Sequence, residues 1–294
     1  MTGTESIVST ATWGSDQSYP AVWEDRIVWA HYYSSPEDPA MFNSDISFYN
    51  ITSGEFGRFP TILPYLDKPD IWEDRIAWQV WEDDNLEIYF FNLTTAEEQR
   101  ITNDQLNQVN PKIWGDWIVW QEGDDWEPDH GVFPYNIPTG NVTRINSSSS
   151  AKSPVIWGDR VVWDEYTTGD GNFDIFLYNI TTGNITQVTT DPYAQLSPIY
   201  LDDLSSGNET RITSADFYRQ SPAIADDYMV YVNDTVVSLI NLSTMVESAA
   251  SMDRTGSVKY EPDIWGNRIV CSDMRNGDFE NFRFKRELKI NEYN

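Results

Sequence analysis

The chain has 294 residues, of which 40% are hydrophobic, and it contains 13 Trp, 16 Tyr and 13 Phe. This composition supplies enough apolar surface for a folded core and excludes a disordered chain. The 47 acidic and 19 basic residues give a formal net charge of −28, which repels nucleic-acid phosphates and anionic lipid surfaces. We therefore expect no nucleic-acid partner and no membrane insertion, whereas cations or a basic protein would suit such a surface.

Cysteine content and hydropathy limit the chain further. Cys271 is the only cysteine, so neither an internal disulfide nor a cysteine-based zinc site can form. The sequence MTGTESIVST at the start lacks the basic and apolar segments of a signal peptide, and no later stretch is apolar enough to span a bilayer. We expect either a cytoplasmic protein or the exported part of a longer one.

One segment recurs along the chain as PAVWEDRIVW, PDIWEDRIAW, PKIWGDWIVW, PVIWGDRVVW and PDIWGNRIVC, with a weaker copy PAIADDYMVY. Internal repeats of this kind decide the fold before any local reading of secondary structure. Together with one shortened copy, the repeats predict seven units. The units begin near Pro20, Pro69, Pro111, Pro154, Pro198, Pro222 and Pro262.

Each repeat predicts four short antiparallel strands. A second block such as DIFLYNITTGN and a third such as RIT follow most copies of the first. Apolar residues alternate within each block, and turn sequences such as Gly158-Asp159 separate the blocks. Four strands in about forty residues are typical of a propeller blade, so we predict an all-β fold, a single β-propeller domain over residues 1–294.

Two features concern how the propeller is completed. Residues 5–10 match a fourth strand that the last unit lacks, so an N-terminal strand is expected to close the last blade. The interval from Pro198 to Pro222 is much shorter than the others, as though the first hairpin of the fifth unit were deleted. We favour seven blades with the fifth stunted; the alternative is six blades plus an inserted hairpin.

These blocks resemble the TolB-like, WD40-like propeller repeats of archaeal cell-surface proteins, over nearly the whole chain. The sequence departs from the pattern in the fifth unit, at Ala225 in place of Trp, and at Cys271 in place of Trp. The resemblance implies a surface scaffold and transfers no catalytic residue to this chain.

Aromatic and acidic residues give the candidate binding site. The repeated Trp pairs, such as Trp72 and Trp78, are predicted to pack between neighbouring blades because they recur in register. Other tryptophans and many carboxylates follow the predicted second strands, in loops that a propeller brings to one face. The candidate ligand-binding residues are Trp81, Glu82, Asp83, Asp84, Asp124, Asp125, Trp126 and Asp170.

A calcium site is the weaker alternative to a solvated acidic face. Asp170, Asn172 and Asp174 match the first half of an EF-hand loop, but Ile175 stands where glycine is needed and Thr181 where glutamate belongs. We therefore expect no cofactor, with Ca²⁺ as the alternative.

Nine Asn-x-Ser/Thr sequences coincide largely with predicted hairpin turns. Local hydrogen bonds of Asn and Thr explain most of them, and in an exported protein they would also be candidate glycosylation sites. These residues are Asn50, Asn92, Asn141, Asn146, Asn179, Asn184, Asn208, Asn233 and Asn241.

The sequence lacks the serine-hydrolase elbow and the zinc-peptidase helix motif, and we expect its two histidines, His31 and His130, to be ordinary loop residues. We therefore predict a non-enzymatic, monomeric binding or scaffold domain at an archaeal cell surface, recognising a protein or polysaccharide through one loop face. The alternative is a polysaccharide lyase or glycosidase that uses acidic residues at the channel mouth.

Overall fold

The computed structural model describes residues 4–9, 15–34, 42–59, 65–123, 130–146, 150–167, 172–188, 200–203, 208–211, 219–225, 228–233, 236–242, 244, 246–249, 259–266, 268–275 and 278–285. The regular secondary structure in these ranges is β-strand throughout, as the alternating sequence pattern predicts. The ranges contain no helix of the length and apolarity that a membrane span requires.

The strands follow the repeat closely. The series begins with β1 (Thr4–Ser9). The first unit contributes β2 (Ser15–Trp23), β3 (Arg26–Ser34), β4 (Phe42–Asn50) and β5 (Phe56–Arg58). The second contributes β6 (Leu66–Trp72), β7 (Arg75–Glu82), β8 (Asn85–Asn92) and β9 (Glu97–Arg100). The third contributes β10 (Gln108–Trp114), β11 (Trp117–Glu122), β12 (Gly131–Asn136) and β13 (Asn141–Val142).

The second half of the chain continues the series. The fourth unit contributes β14 (Ala151–Trp157), β15 (Arg160–Thr167), β16 (Asn172–Asn179) and β17 (Asn184–Gln187). The fifth contributes only β18 (Tyr200–Asp203) and β19 (Asn208–Arg211). The sixth contributes β20 (Arg219–Ala225), β21 (Tyr228–Asn233), β22 (Val236–Asn241) and β23 (Val246–Ala249). The last contributes β24 (Lys259–Trp265), β25 (Arg268–Arg275) and β26 (Asp278–Lys285).

The sheets correct the predicted number of blades. Five blades consist of four consecutive antiparallel strands: β2–β5, β6–β9, β10–β13, β14–β17 and β20–β23. We name the first four of these the first to fourth blades. A further sheet combines β1 with β24–β26, and β18–β19 form a short sheet of two strands. The predicted seven four-stranded blades are therefore not found in the described residues. Those of the fifth unit form two strands, which are too few for a blade.

The short sheet has the register of the outer half of a blade. Tyr200 pairs with Arg211 in the short sheet, and Phe176 pairs with Gln187 in the fourth blade. Both pairs stand at the same distance from the turn that joins the two strands. β18 and β19 therefore correspond to the third and fourth strands of a blade, and the described residues of the fifth unit include no first or second strand.

The predicted pairing of the chain ends is confirmed. β1 pairs antiparallel with β26, with Glu5 opposite Phe284 and Ile7 opposite Phe282. The N-terminal strand thus supplies the fourth strand of the sheet that the last unit begins. An edge that the last three strands would expose is covered in this way.

The chain divides into two compact units. One contains residues 1–61 and 216–294, and the other contains residues 62–215. The first blade, the β20–β23 blade and the β1 sheet belong to the former; the second to fourth blades and the short sheet belong to the latter.

A β-bulge lies beside the proline of each first strand in the second to fourth blades, where the pairing register shifts. The residue before the proline has a φ of 47° at Lys68, 56° at Asn110 and 56° at Ser153. In the third and fourth blades the bulge turns this N–H out of the ladder toward the preceding blade, whereas the Lys68 amide donates to Asp67 Oδ1 at 2.7 Å. Asn110 N donates to Gln79 Oε1 at 2.8 Å, and Ser153 N donates to Gln121 Oε1 at 3.0 Å.

Within each compact unit, other polar contacts join neighbouring sheets. The Ile113 amide donates to Asp70 Oδ2 at 2.8 Å, and the Val22 amide donates to Asp263 Oδ2 at the same distance. Arg75 Nη1 donates to the Gly115 carbonyl at 2.6 Å. Each contact connects one sheet to the first hairpin of the next sheet within the same compact unit. These contacts therefore fix the position of neighbouring sheets relative to each other.

The two tryptophans of the repeated block occupy different environments. The second one is buried in the core: Trp29, Trp78 and Trp163 are each exposed by no more than 1%. The first one packs in a tilted arrangement against its counterpart in the next blade, with ring centroids 6.3 Å apart for Trp72 and Trp114 and 4.1 Å for Trp114 and Trp157. Both tryptophans of the block thus pack between blades. Trp157 is an exception to the predicted burial, because it is 46% exposed.

Cys271 is fully buried, with an exposure of 0%, and lies in an apolar cluster with Val230 and Leu239. The replacement of the repeat's Trp by a small apolar side chain is therefore accommodated by packing.

We expect deletion of residues 1–12 to lower the thermal midpoint by several degrees, because β26 would lose its partner strand. Differential scanning calorimetry of the full chain and the truncated chain measures this directly. A truncated chain that melts at the temperature of the full chain would show that β1 contributes nothing to closing its sheet.

Candidate functional site

The acidic residues predicted to bind a ligand in the second unit are described in full. Trp81 and Glu82 lie at the end of β7 and not in a loop, which corrects the prediction. Asp83 and Asp84 form the turn to β8, both with positive φ. Trp81 is 48% exposed, and its role in binding a ligand remains a prediction.

Arg100 on β9 binds these carboxylates. Its guanidinium lies 2.9 Å from Glu82, 3.2 Å from Asp83 and 3.0 Å from Glu87. Glu87 is completely buried and also accepts a hydrogen bond from Asn85 Nδ2 at 3.1 Å. Two of the three acidic candidates near Trp81, Glu82 and Asp83, are therefore already paired with a cation of the chain itself.

Tyr89 extends the Arg100 cluster. Its hydroxyl donates to Glu82 Oε2 at 2.6 Å. Burial, together with the hydrogen bond and the charge of Glu82, holds the pKa of Tyr89 above its ordinary value. Thr102 donates a short hydrogen bond to Glu87 and accepts one from the Ile88 amide at 2.8 Å. The cluster thus links the third and fourth strands of the blade.

The pairing of Glu87 with Arg100 recurs in other blades. Arg58 lies 3.1 Å from Asp45 in the first blade, and Gln187 donates to Asp174 at 3.0 Å in the fourth. In each case the partners are cross-strand neighbours at the same separation in sequence. The second block of the repeat therefore carries an acidic residue, and the third block carries the side chain that donates a hydrogen bond to it. The regular spacing was a signal that the sequence analysis missed.

The calcium candidates do not form a binding loop in the described residues. Asp174 is buried at 1% exposure and is bonded to Gln187, and Asn172 begins β16. Asp170 lies outside the described residues. Within the part of the chain that the structure describes, no three His, Cys, Asp or Glu side chains are grouped as metal ligands.

Three further ligand candidates, Asp124, Asp125 and Trp126, also lie outside the described residues. His31 is not a loop residue as predicted: it lies in β3, is 8% exposed, and has Nδ1 3.6 Å from Asp45 Oδ1. His130 makes an isolated bridge with Ser150.

The turn role predicted for the asparagines of the sequons is confirmed at several sites. Asn50 Oδ1 accepts the amides of Thr52 and Ser53, and Asn92 Oδ1 accepts that of Thr94 at 2.8 Å. The Thr182 amide donates to Asn179 and the Thr244 amide to Asn241, each at 2.8 Å. Asparagine side chains therefore shape these hairpins.

The remaining sequons differ in accessibility. Asn141 and Asn184 are exposed at the starts of β13 and β17. Asn146 is buried at 8% exposure, and its Nδ2 donates to the His130 carbonyl at 3.1 Å. The folded chain therefore offers no free Asn146 amide to a glycan. The side chains of Asn208 and Asn233 lie outside the described residues.

An apolar surface on the fourth blade was not found by sequence reasoning. In the second blade, the face that packs on the next blade includes Ala77, Ile88 and Phe90, which are exposed by 0%, 0% and 6%. On the fourth blade, the cross-strand partners Val155, Val162 and Leu177 occupy the row of Asp70, Ala77 and Phe90. We name this row, with Trp157 and Ile175, the downstream face of the fourth blade.

This downstream face is poorly covered. Val155 is 50% exposed and Trp157 is 46% exposed, while Val162, Ile175 and Leu177 are half-buried. Ala77 and Val119, at the position of Val162 in the second and third blades, are fully buried in the contact with the following blade, whereas the side chain of Lys112, at the position of Val155, is 43% exposed. The described residues of the fifth unit are β18 and β19.

Asp164 occupies a distinctive place on the same face. It pairs across strands with Lys152 and Ile175, as Gln79 pairs with Asp67 and Ile88 in the second blade. Gln79 and its counterpart Gln121 accept the bulge amide of the following blade. Burial raises the pKa of Asp164 to about 6, although the charge of Lys152 opposes this shift.

Comparisons with solved structures define the class of fold. The β-propeller domain of the Trilobed protease from Pyrococcus furiosus matches 95% of this chain and 95% of its own length, with 11% identity and a TM-score of 0.73. An acylaminoacyl peptidase from Pyrococcus horikoshii matches 96% of this chain and 53% of its own, with 11% identity and a TM-score of 0.73. The chain is thus an all-β propeller of small four-stranded antiparallel sheets.

Other matches widen the range of functions that share the fold. An oligogalacturonate lyase from Vibrio parahaemolyticus matches 96% of this chain and 93% of its own, with 12% identity and a TM-score of 0.65. TolB from Acinetobacter baumannii has 17% identity over 92% of this chain, but its TM-score of 0.48 carries no argument. No family model and no curated protein matches the chain. The archaeal cell-surface type remains a prediction.

The comparisons overturn the prediction of a non-enzymatic surface scaffold. The propellers that match include acylaminoacyl peptidase, puromycin hydrolase and oligogalacturonate lyase, all of which are enzymes. At 11–12% identity these matches show the fold and transfer no catalytic residue. The chain spans about half the length of the peptidases and of the puromycin hydrolase.

We expect Arg100→Met to destabilise the chain by about 3 kcal/mol, because the buried Glu87 carboxylate would lose its cation. Urea unfolding monitored by tryptophan emission measures the change. Arg160→Met is the matched control. The Arg160 side chain is 53% exposed, and its Nε lies 3.9 Å from Asp159 Oδ1, so this ion pair contributes little. Equal losses in the two variants would show that the Glu87 pair has no special weight.

We expect Asp164→Asn to change how stability depends on pH. With a pKa of about 6 when folded and 3.8 when unfolded, Asp164 makes the folded chain lose stability as pH rises between these values. The free energy of unfolding of the variant should therefore exceed that of the parent by up to about 3 kcal/mol above pH ~6, and by less near pH ~4.

Chemical denaturation across this pH range tests the expectation. The control is Asp84→Asn, the same substitution at an exposed aspartate. A difference between Asp164→Asn and the parent that stays constant with pH would contradict titration of Asp164 as its cause.

Proposed function

We infer that this chain is the propeller module of a peptidase-type hydrolase, in which another domain or polypeptide provides the catalytic groups. The observation that carries this proposal is the pattern of coverage. The peptidases match 94–96% of this chain but only 52–53% of their own length, so about half of each peptidase has no counterpart in this chain. A puromycin hydrolase gives the same pattern, with 90% and 51%.

The polar clusters of the described residues are consistent with a supporting role. Glu82, Asp83 and Glu87 share the single cation Arg100, and Asp45 lies 3.1 Å from Arg58. A general acid or base needs a carboxylate that faces substrate, whereas these carboxylates face cations of the same blade. These four acidic residues therefore stabilise the contacts between strands of a blade.

Charge favours a peptidase module over a lyase. Oligogalacturonate is a polyanion, and a chain with a net charge of −28 repels it at long range. A peptide substrate meets no such general repulsion. The lyase matches therefore support the fold of this chain, and the peptidase matches better support its function.

The proposal is tested on the protein as cells make it. An antibody to this chain isolates every polypeptide that carries or binds it, and a biotinylated peptidyl chloromethyl ketone then labels peptidase active sites. We expect label either on a polypeptide heavier than 33.9 kDa that contains the chain, or on one that co-isolates with it. Prior treatment with unlabelled ketone should abolish the signal. Isolation of the chain without labelled protein would contradict the proposal.

A second arm tests catalysis by the chain itself. The purified chain is incubated with oligogalacturonate and Mn²⁺, and the unsaturated product is followed by its ultraviolet absorbance. We expect no product above that of heat-denatured chain. Turnover that is lost on replacing one carboxylate would overturn the proposal in favour of a lyase.

A further inference from the structure

We propose that β17, the outer strand of the fourth blade, pairs with β17 of a second copy of this chain. The pairing is antiparallel, joins two fourth blades into one continuous sheet, and places Thr186 opposite its own counterpart. This inference concerns a surface that the proposed function does not use, and it holds whether or not the chain belongs to a hydrolase.

The first argument is the free backbone edge of β17. All four residues of this strand are exposed, and among the described residues it is bonded only to β16. The Val188 amide donates to the Ile175 carbonyl of β16 at 2.8 Å. Backbone groups alternate along an antiparallel strand, so those of Thr186 also face β16, whereas those of Ile185 and Gln187 face outward. Outward N–H and C=O groups are the template on which another strand adds.

The second argument is that β17 lacks the protection that the other outer strands have. Charged residues and short length normally prevent pairing at a sheet edge. The outer strands of the first and third blades, β5 and β13, have three and two residues. β9 carries two glutamates and an arginine, and β23 carries Glu247. β17, with the sequence NITQ, is the only four-residue outer strand of the five blades without a charge.

The third argument is the distribution of charge along the chain. Residues 175–190 contain no charged residue, although 22% of the chain is charged, and they form the longest uncharged stretch of the sequence. Asp174, which precedes this stretch, is 1% exposed and accepts a hydrogen bond from Gln187. Two copies with a net charge of −28 repel each other, and this repulsion is weakest where their neutral segments meet.

The geometry of β17 fixes the register of the pair. When Thr186 lies opposite itself, Ile185 lies opposite Gln187 of the second copy, and both turn their backbone groups toward the partner strand. The two such pairs exchange about four backbone hydrogen bonds. A register centred on Ile185 would require Gly183 in the ladder, and its φ of 73° is not that of a strand.

The side chains suit the same register. Thr186 meets Thr186 of the second copy, and threonine pairs are favourable cross-strand neighbours. Ile185, which is 50% exposed, becomes flanked by side chains of the second copy. The pairing therefore brings no charges together and covers an apolar side chain.

The size of the contact defines a weak dimer. Four strand residues per copy bury much less than the roughly 1,200–2,000 Å² of a stable interface. The chain is then a monomer when dilute, as its sequence predicts, and a dimer when concentrated. A different polypeptide attracted by the net charge would be basic, and it would gain more at an acidic edge such as β9 than at the neutral β17.

Sedimentation velocity of the full chain, from micromolar to millimolar concentration, measures the association. We expect the weight-average sedimentation coefficient to rise toward that of a dimer, and to rise more steeply at higher salt, which screens the repulsion between copies. Ile185→Pro should abolish the rise, because it removes an outward amide without removing a bond to β16. Equal thermal midpoints would verify that this variant folds.

A charge-swap experiment tests the register itself. Thr186→Asp and Thr186→Lys should each weaken self-association at least tenfold, because each places like charges opposite one another. An equimolar mixture of the two variants should associate at least tenfold more tightly than either alone, because Asp then faces Lys. This gain requires that residue 186 of one copy lies opposite residue 186 of the other.

The matched control is the same pair of substitutions at Thr143. This residue is also exposed, and it occupies the place of Thr186 on the third blade, where its amide donates to Pro134. Thr143→Asp and Thr143→Lys should change self-association less than twofold, and mixing them should give no gain.

Three results would overturn the proposal. One is a sedimentation coefficient that stays constant up to millimolar chain, and another is equal weakening by the Thr143 and Thr186 variants. The third is a mixture of the Thr186 variants that associates no more tightly than each variant alone. None of these results depends on labelling by the chloromethyl ketone, so the dimer and the hydrolase module are judged separately.

Discussion

The fold depends on the packing of one sheet on the first hairpin of the next. A blade with apolar side chains on both faces cannot bury them alone, so each blade relies on its neighbours. In the second and third blades the contact is complete: Ala77 and Val119 are fully buried, and the bulge amides of Asn110 and Ser153 reach Gln79 and Gln121. The tilted tryptophan pairs and the buried acid–base pairs are built around this contact.

The fourth blade contains both a buried contact and a partly exposed surface. Trp163 packs in a cluster with Val119 and Val132 of the third blade and is 1% exposed. Val155 and Trp157 of the same blade are 50% and 46% exposed. Burial within one blade therefore differs with the neighbours that each side chain contacts.

The local architecture was predictable because it is coded locally. Alternating apolar residues and turn dipeptides located the strands, and the match of residues 5–10 to a fourth strand predicted the pairing of β1 with β26. The roles of acidic residues were not predictable in this way. Glu82 and Asp83 looked like ligands because a sequence shows charge but not the distant Arg100 that neutralises it. The 46% exposure of Trp157 was not predictable either, because the repeat gives it the same position as the half-buried Trp72 and Trp114.

The central claim is that packing between neighbouring sheets buries the second tryptophan of the repeated block. Hydroxyl-radical footprinting with mass spectrometry measures this for individual tryptophans in the intact chain. The account predicts that Trp78 and Trp163, each 1% exposed, are oxidised much more slowly than Trp157, which is 46% exposed. Oxidation of Trp163 as fast as that of Trp157 would show that the contact with Val119 and Val132 of the third blade does not bury it, and would contradict the account.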